Sequence, residues 1–505
     1  MGKHADTPGP ARKPEPAAEP RPESAAPPAP TAGPLAAPSM LRRPLRPHEL
    51  FACLGLLLGL AYVFLTPPFT VADEHSHFFR AYQLSTGHVT PETGEGGYGW
   101  QIPESVLFVI DAVLDVSPTL PEKLELSRLR HLVRLPLDPQ RHRFYAFSNM
   151  VIFPPSAYAP QALGILIARE LGGSAMILLY AGRLFSLLTY LWLIGWAIRV
   201  TPMGAWIFCL IGLSPMSLSL AGSVSADSLT IGLAFLLSAL TLRQVMDPEW
   251  PLTRRRLLGL GVLGLLLALA KIVYFPLVFL VYLIPAEKFG SRRRALLLGT
   301  ALVAVCMAGN LLWNARVKGY YQPMFPGVDF KAQVQILKSH PLAFAATMAR
   351  TYFQVYPRAF LAQIYGKLGW MSVSMPRFMT ALYYLLLLGA ALTETRVIGR
   401  LGRWRRWGLA LTAGAVIGLV GVALYISCTA VASPLIHGIQ GRYFIPILPL
   451  PFLAICARRL RPARQTRLAA VGAHLEPAWP ALVSVFCALS AAIALWRLCA
   501  YYYGF

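Results

Sequence analysis

Long apolar runs separated by short polar clusters dominate this chain. The first run covers residues 49–66, and further runs lie near 176–198, 204–221, 226–243, 257–271, 273–286, 295–313, 376–393, 408–427, 443–457 and 479–499. A helix needs about 20 mainly apolar residues to cross the hydrocarbon core of a bilayer. The pattern therefore predicts an all-α polytopic membrane protein with about eleven transmembrane helices.

Two long segments interrupt this series of runs, at residues 67–175 and 314–375. The first contains apolar stretches at 106–113 and 158–171 that are too short or too interrupted to span a bilayer. We expect helices lying on the membrane surface there. The second segment is rich in aromatic residues and proline.

The N-terminal 48 residues differ from the rest of the chain. They are rich in Pro, Ala, Glu and Arg and contain almost no large apolar residue before their end. Such a composition cannot bury enough surface to offset the entropy of folding. We expect residues 1–48 to form a disordered cytoplasmic tail and residues 49–505 to form one membrane domain.

Basic clusters orient the predicted spans. They lie near residue 199, at 254–256, at 288 and 292–294, at 396–406 and at 458–467, all on the side that also holds the N-terminus. Cytoplasmic loops carry an excess of Lys and Arg. This predicts a multi-pass protein of the plasma membrane with a cytoplasmic N-terminus, an extracytoplasmic C-terminus and both long segments outside.

Composition agrees with this class, since 56% of the residues are hydrophobic and only 14% are charged. The net charge of +23 does not indicate nucleic-acid binding, because the basic residues occur in short clusters between apolar runs. The seven cysteines form no CxxC pair, so neither a disulfide framework nor a cysteine metal site is expected.

The richest candidate site directly follows the first span, in the stretch PPFTVADEHSHFFRAYQLSTGH at residues 67–88. If this stretch is helical, Asp73, His77 and Arg80 share one face and Glu74 lies on the adjacent stripe. An acid, an imidazole and a guanidinium at a membrane surface suit proton transfer and anion binding. The same residues are also consistent with a solvated helix end.

Three further charged residues lie in or beside predicted spans. Asp227 falls at the external turn between the third and fourth runs, where it faces a cavity or a partner, or is a solvated loop residue that caps the next helix, with Ser225 to Ser228 as cap candidates. Lys271 interrupts an apolar hairpin, where it snorkels to the interface or faces an external cavity and binds phosphate. Arg183 lies well inside the second run and needs a polar partner, either structural or a ligand.

A second motif, PLIHGIQGRYFIPILPLP at residues 434–451, places His437, Gln440 and Arg442 at the outer end of the tenth run. Gly438 and Gly441 allow close approach of backbone to a ligand. Arg442 suits bidentate phosphate binding, although an interfacial Arg beside an aromatic residue has the same pattern. Asn149 and Tyr158, near the doubled proline of the first long segment, are weaker candidates for acceptor contacts.

Several enzyme classes lack their motifs here. The sequence contains no HExxH, no Walker loop, no GxSxG, and no GxGxxG between a strand and a helix. The two histidines of DEHSH are only two residues apart, which does not place them on one helix face for zinc. An intramembrane metalloprotease is therefore not expected.

The chain resembles the bacterial membrane-protein family called domain of unknown function 2142. The resemblance covers about residues 45–500 and rests on PPFTVADEHSHFFRAYQLSTG after the first span and HGIQGRYFIPILPLP near the end. That family in turn is similar to the GT-C class of integral-membrane glycosyltransferases. The matching features are an Asp-Glu pair opening a long first external loop, a surface helix before the second span, an SP…D segment at 214–227, and the lysine-containing hairpin around Lys271.

The GT-C resemblance implies sugar transfer on the external face of the membrane, from a polyprenyl-phosphate donor to a glycan or lipid acceptor of the cell envelope. By that resemblance Asp73 is the general base and Arg442 and Lys271 hold the phosphate. Glu74 and His77 belong to the catalytic group, while Arg80, Asp227, His437 and Gln440 contact substrate. The class leaves open whether Asp73 also holds a divalent metal, and DEHSH departs from the plain acidic pair of well-studied transferases.

Two other classes stay open at this point. A transporter or flippase of lipid-linked glycans also needs a charged cavity, but it should show an internal repeat and none is visible. A non-catalytic assembly protein for envelope polysaccharide keeps the fold without needing the acid. Activity after replacement of Asp73 separates an enzyme from a scaffold.

Overall fold

The computed structural model describes residue 9 and residues 45–114, 123–138, 140–323, 325–393, 398, 401–456 and 474–504. The predicted disordered tail, 1–48, lies outside these residues except at 9 and 45–48. Most of the predicted basic clusters at 396–406 and 458–467 also lies outside them, apart from 398 and 401–406.

The protein is a mostly helical membrane protein. Within the described residues, six helices are long and apolar enough to cross a bilayer: Pro47–Leu65, Ala175–Val200, Ala226–Met246, Arg292–Tyr320, Arg403–Cys428 and Glu476–Tyr502. They coincide with the predicted first, second, fourth, seventh, ninth and eleventh runs. The α-helical parts of these six are named α1 (Pro47–Leu65), α7 (Ala175–Val200), α10 (Ala226–Met246), α12 (Arg292–Val317), α17 (Arg403–Cys428) and α19 (Trp479–Tyr502).

The other predicted runs fold as shorter or interrupted helices. The third is divided into α8 (Ala205–Gly212) and α9 (Pro215–Ala221), the fifth is α11 (Arg254–Ala270), and the sixth is a 3₁₀-helix, Ile272–Leu283. The eighth is α16 (Arg377–Thr393), and the tenth joins a 3₁₀-helix, Gly441–Ile447, to α18 (Pro449–Ile455). Prolines at 215, 276, 446 and 449 lie at or inside these interruptions, because proline cannot donate a helical hydrogen bond. A count of eleven spans stays a prediction.

Small polar side chains begin many of the helices. Ser174, Ser214, Thr253 and Ser291 accept hydrogen bonds from backbone N–H groups in the first turns of α7, α9, α11 and α12. Ser225 accepts from the backbone N–H of Asp227 at 3.1 Å and starts α10, as the capping alternative predicted. These caps satisfy donors that would otherwise be unpaired at the ends of apolar helices.

The first long segment contains more than the helices predicted for it. The apolar stretches at 106–113 and 158–171 are helical, as α3 (Glu104–Leu114) and α6 (Ala159–Glu170). Three further helices lie in this segment: α2 (Glu74–Ser85), α4 (Leu126–Arg134) and α5 (Ser148–Val151). Three antiparallel strands, β1 (Glu92–Gly94), β2 (Gly97–Pro103) and β3 (His142–Ala146), form a small sheet in that order. The all-α prediction is wrong here, because the glycine-rich stretch between β1 and β2 closes a tight hairpin, with Gly96 at φ 82°.

The second long segment is also mixed. It folds as α13 (Phe330–Ser339), α14 (Pro341–Ala349), a π-helical turn (Arg350–Val355) and α15 (Pro357–Gly366). A two-stranded hairpin follows, with β4 (Lys367–Leu368) paired to β5 (Val373–Ser374). This hairpin lies between α15 and α16.

Glycine contacts bring the central helices close together. A Cβ on Gly59 of α1 would lie 2.5 Å from the Leu187 side chain of α7, and one on Gly232 of α10 would lie 2.8 Å from Leu193. Helix α2 packs into a second core under the first long segment, where Phe78 and Phe79 are fully buried. It is thus an interior helix and not the surface helix that its sequence predicted, because most of its faces contact protein.

Candidate functional site

A strained turn begins the candidate site. Asp73 directly precedes α2 and has a left-handed backbone with φ of 65°, and Phe69 in the same turn has φ of 58°. Non-glycine residues rarely adopt this conformation, which costs roughly 1–3 kcal/mol and persists where surrounding structure enforces it. The turn directs the Asp73 carboxylate toward the 3₁₀-helix Gly441–Ile447, where Arg442 lies.

Arg442 joins two acids from distant parts of the chain. Its Nη2 donates to Oδ2 of Asp73 at 2.8 Å, and its Nε lies 3.7 Å from Oδ2 of Asp227. Asp227 also forms an ion pair with Lys271, whose Nζ contacts Oδ1. Asp73, Arg442, Asp227 and Lys271 thus form a continuous chain of alternating charge, called the charge chain below.

Three members of the charge chain are largely buried, and Asp73 is the accessible one. The side chain of Asp73 is 35% exposed, compared with 5% for Arg442 and 8% for Asp227. Burial of Asp227 excludes the alternative of a solvated loop residue. Asp73 is therefore the member of the chain that is most accessible from solvent.

Mutual pairing keeps Asp73 and Arg442 charged. Burial alone would raise the pKa of Asp73, but the Arg442 guanidinium and the nearby histidines lower it below its usual value. Burial would lower the pKa of Arg442, whereas Tyr443 and the two acids raise it. Asp73 is thus a carboxylate at physiological pH.

Aromatic residues hold the cations in place. The Lys271 ammonium lies 5.3 Å from the centre of the Tyr443 ring and the Arg442 guanidinium 5.6 Å from it. The Tyr274 hydroxyl donates to the Tyr443 carbonyl at 2.9 Å. Cation–π contacts of this kind stabilise partly desolvated cations.

His77 lies behind Asp73 on α2 and is buried. Its Nδ1 forms a hydrogen bond with the Tyr158 hydroxyl at 2.6 Å. Burial lowers the pKa of His77 to about 4 despite the nearby acids, and burial raises the pKa of Tyr158. The imidazole is therefore neutral at physiological pH, which fits a supporting role better than that of a proton donor.

Glu74 faces away from the charge chain. Both its oxygens accept from Arg183, at 2.8 Å from Nε and 2.6 Å from Nη2, and both side chains are fully buried. Arg183 also donates to the carbonyls of Val63, Thr66 and Pro67. Arg183 therefore has the structural partner that its position required, and the pair ties the end of α1 and the start of α2 to α7.

Arg80 is also engaged by protein groups. It is fully buried and donates to Oε1 of Gln83 and to the carbonyls of Val89 and Phe153. Burial lowers its pKa to about 10. These bonds tie α2 to the loops around it and leave Arg80 outside the charge chain.

His437 and Gln440 lie on the loop that leads to Arg442. The His437 ring is exposed and forms a hydrogen bond with the Ser433 hydroxyl at 3.0 Å. Gln440 is half-buried and its carbonyl accepts from the Tyr443 backbone N–H at 3.1 Å. Neither side chain joins the charge chain.

An apolar cavity adjoins the Lys271 end of the charge chain. Its volume is about 290 Å³, and it reaches Lys271, Tyr274 and Tyr443. Its other walls come mainly from α12, α17 and the loop around residue 153; they include Phe153, Asn310, Trp313, Val420, Ala423 and Leu424. The cavity thus combines one cation, Lys271, with mainly apolar walls.

A divalent metal does not fit the donor set of the charge chain. Each of its two carboxylates already faces a cation, and within the described residues no group of three or more His, Cys, Asp or Glu side chains converges. Metal ligands of this kind need free carboxylate oxygens. No step below is routed through a metal.

Sequence patterns found part of this arrangement. Asp73, Asp227, Lys271 and Arg442 were all predicted, and they meet although they lie in four separate segments. Tyr158 was a weak candidate and its contact with His77 was missed, as were the contacts of Tyr274 and Tyr443. The available signal was an aromatic residue near each predicted cation, Tyr274 three residues after Lys271 and Tyr443 directly after Arg442.

Comparisons with known proteins identify the family but bring no characterised relative. None of the curated proteins and none of the solved structures searched matches the chain. The model of one family, described as "Predicted membrane protein (DUF2142)", matches residues 56–451, a range that includes every member of the charge chain. Because this match covers well over half of the 505 residues, the chain belongs to the DUF2142 family of predicted membrane proteins.

Proposed function

We propose that this protein is a GT-C-like glycosyltransferase that moves a sugar from a polyprenyl-phosphate donor to a glycan or lipid acceptor of the cell envelope. The observation that carries the proposal is the charge chain, with an exposed carboxylate at one end and a lysine at the mouth of an apolar cavity at the other. A base, a phosphate site and a hydrocarbon site are the three elements that such a transfer needs.

The phosphate site of the proposal consists of Arg442 and Lys271. Both are cations held near acids and aromatic rings in a largely buried setting, where a charge-assisted hydrogen bond to phosphate is strong. The apolar walls beside Lys271 offer a place for the first part of the lipid chain. His437 and Gln440 would contact the donor beyond its phosphate, at the outer rim.

The chemical step of the proposal uses Asp73 as general base. The acceptor oxygen attacks the anomeric carbon of the sugar, its proton passes to the Asp73 carboxylate, and the bond from that carbon to the phosphate oxygen breaks. The electron pair leaves with the polyprenyl phosphate, whose negative charge Arg442 and Lys271 stabilise. Asp227 lies between the two cations, offsets their mutual repulsion and fixes their positions.

The remaining predicted residues would position this group. His77 and Tyr158 pack behind Asp73, Glu74 anchors the strained turn through Arg183, and Arg80 anchors α2 to its loops. In this proposal eleven passes place the charge chain at the external side of the plasma membrane, with the N-terminus inside and the C-terminus outside. The basic clusters of the sequence support that orientation.

Replacement of Asp73 by Asn tests the base. The change preserves size and removes the charge, so we expect product formation to fall by roughly 10²–10⁴-fold, as for loss of a general base. The measurement is labelled product formed by membranes supplied with a panel of polyprenyl-phosphate-linked radiolabelled sugars, at matched protein level. Asp111→Asn, an exposed acid on α3, is the control and should retain activity.

Wild-type product from the Asp73→Asn protein would remove Asp73 from catalysis. That result would favour the two alternative functions, a transporter of lipid-linked glycans or a non-catalytic assembly protein. Full loss in both Asp73→Asn and Asp111→Asn would indicate general damage to the fold and would also remove support for a specific base.

Replacement of Arg442 tests the phosphate site. Loss of a cation from a desolvated phosphate contact should cost roughly 2–5 kcal/mol of donor binding. Arg442→Ala should therefore bind a fluorescent polyprenyl phosphate far more weakly than wild type, with Arg442→Lys in between. Arg377→Ala, an exposed cation at the start of α16, is the control; equal binding by Arg442→Ala would make Arg442 an interfacial anchor only.

A further inference from the structure

A second polar cluster lies beside Asp73, away from the charge chain. The β4–β5 hairpin places Trp370 over His75, with ring centres 5.8 Å apart and planes inclined by 26°. His75 also meets Phe79 edge to face at 6.2 Å. Since His75 is two residues from Asp73, this cluster adjoins the proposed base.

Two nitrogen atoms of this cluster have unmet hydrogen-bonding capacity. In the part of the chain that the structure describes, neither Nδ1 of His75 nor Nε1 of Trp370 has a hydrogen-bond partner, and both atoms are shielded from solvent. A buried polar atom without a partner costs about 1–3 kcal/mol, so native proteins keep few of them. Two such atoms on stacked rings indicate a place where a ligand supplies the partners.

The rings themselves are half-buried, so a ligand that approaches from the surface reaches Nδ1 and Nε1 only after the side chains rotate. Burial lowers the pKa of His75, although Asp73 and Glu74 raise it in part, so the imidazole is neutral at physiological pH. A neutral imidazole and an indole offer one acceptor, N–H donors and flat apolar faces. This set suits an uncharged, hydroxyl-rich ligand and offers nothing specific to a phosphate or a carboxylate.

The hairpin that carries Trp370 is firmly held. The Tyr502 hydroxyl packs against Gly369, where an added Cβ would lie 2.5 Å from it. Gly369 has φ of 62° and Met371 φ of 63°, and strain at a non-glycine residue persists only where contacts enforce it. The Met375 backbone N–H donates to the Gly366 carbonyl at 2.9 Å and closes the hairpin base. The hairpin backbone that carries the indole is thus pre-organised, which lowers the entropic cost of binding.

We propose that His75 and Trp370 form the subsite for the acceptor sugar, with the sugar hydroxyls bonded to Nδ1 and Nε1 and the reacting hydroxyl directed to Asp73. This inference rests on the proposed function and deepens it. Asp73 then lies where two substrates meet: the donor phosphate on Arg442 and Lys271, and the acceptor sugar on His75 and Trp370.

Saturation-transfer NMR on the full chain in nanodiscs tests the subsite without requiring activity. The probes are methyl glycosides of hexopyranoses, pentofuranoses and N-acetylhexosamines at millimolar concentration. We expect at least one to receive saturation from the wild-type protein. Trp370→Phe keeps a ring and removes the N–H, and His75→Phe does the same for the imidazole; each should weaken that binding tenfold or more.

Trp192→Phe, on a 62% exposed side chain of α7, is the control and should bind like wild type. Binding that is unchanged in both Trp370→Phe and His75→Phe overturns the subsite, and so does the absence of saturation transfer to every glycoside. Normal product from Asp73→Asn together with Trp370-dependent binding would overturn the proposed catalysis and leave the sugar site standing.

Discussion

At the scale of single residues, the charged side chains of this site are paired with partners far away in sequence. Asp73 and Arg442 are 369 residues apart, and Glu74 and Arg183 are 109 residues apart. Adjacent acids thus have separate tasks: Asp73 is partly exposed and points to the charge chain, and Glu74 is buried and holds the backbone. Two predictions follow from this difference in environment.

The first prediction concerns the buried pair. Glu74→Gln leaves the Arg183 charge buried without a counter-charge, which typically costs about 3–5 kcal/mol of folding free energy. Thermal unfolding in detergent should show a large decrease in Tm, and the double change Glu74→Gln with Arg183→Met should recover part of it. Glu170→Gln breaks the exposed pair with Arg169 and should change stability by about 0–1 kcal/mol. Equal shifts for Glu74→Gln and Glu170→Gln would contradict the structural role of the buried pair.

The second prediction concerns His77 and pH. A histidine whose folded pKa is about 4 is neutral in the fold, whereas the unfolded chain takes up a proton below pH 6.5. Its contribution is therefore complete above the unfolded pKa and decreases as pH falls from 6.5 toward 4, by about 2 kcal/mol between pH 7 and pH 5. Tm should fall over that interval, and it should fall less in His77→Gln. The exposed His437→Gln should behave like wild type, and a His77→Gln protein that loses as much Tm as wild type would refute the buried neutral state.

At the scale of elements, short and interrupted helices bring the site together. Arg442 is the second residue of the 3₁₀-helix Gly441–Ile447, and Lys271 lies between α11 and the 3₁₀-helix Ile272–Leu283. Breaks in apolar helices leave backbone and charged side chains near each other, and in a membrane such breaks occur where protein surrounds them. Arg442 and Lys271 thus lie at interrupted helices, whereas Asp227 lies in the first turn of the long helix α10 and Asp73 in the turn before α2.

The third prediction concerns the contact that seats Arg442. A Cβ on Gly441 would lie 2.5 Å from Cβ of Gln363 and 2.7 Å from the Phe360 carbonyl of α15. Gly441→Ala should therefore push the 3₁₀-helix away, cost about 1–3 kcal/mol of stability by overpacking, and weaken donor binding. Gly414→Ala in α17 has open space around it and should be neutral or slightly stabilising. If Gly441→Ala has the same donor binding and the same Tm as Gly414→Ala, the close contact of Gly441 with α15 does not position Arg442.

At the scale of the whole molecule, the site lies at one end of the helix bundle. The end of α1, the start of α10 and the C-terminal end of α11 meet there, and the Leu124 backbone N–H donates to the Tyr502 carbonyl at 2.8 Å at the end of α19. The first long segment thus packs on the same end as the last residues of the chain. The basic clusters predict which side of the membrane this end of the bundle faces.

The fourth prediction is the topology. Reporter fusions after Gly94 and Asp329 should read as extracytoplasmic, and a fusion after Arg403 should read as cytoplasmic, because the Lys and Arg clusters fall on the opposite side from both long segments. A cytoplasmic signal at Gly94 would place Asp73 on the wrong side for an external donor. It would overturn the orientation and the site proposal together.

The sequence predicted the charged members of the site better than their environment. Isolated charges near apolar runs, such as Asp73, Lys271 and Arg442, can be recognised in the sequence. A charge near hydrocarbon is costly, so its presence there usually indicates a function. Their pairing was not visible, since it depends on how α2, α10 and the Gly441–Ile447 helix pack. Trp370 was missed for the same reason: one aromatic residue in an aromatic-rich segment carries no local signal.

Helices were predicted by their apolar runs, and strands were not. The hairpin of β1 and β2 is only a few residues long and buries little, so its hydrophobic alternation is weak. The sequence of α2 is polar and predicts a helix at a surface. In the structure Glu74, His77 and Arg80 are all buried, because each forms hydrogen bonds with other protein groups. Polar residues inside a protein are predictable only together with the groups that satisfy them.

The Glu74–Arg183 pair also constrains how the chain enters the membrane during synthesis. An arginine in the middle of an apolar helix is costly to insert on its own. Here the ribosome produces Glu74 and the carbonyls of Val63, Thr66 and Pro67 before it produces Arg183, so the partners exist when α7 arrives. We therefore expect the end of α1 to act as a docking site for α7, so that insertion of the second long helix depends on the first.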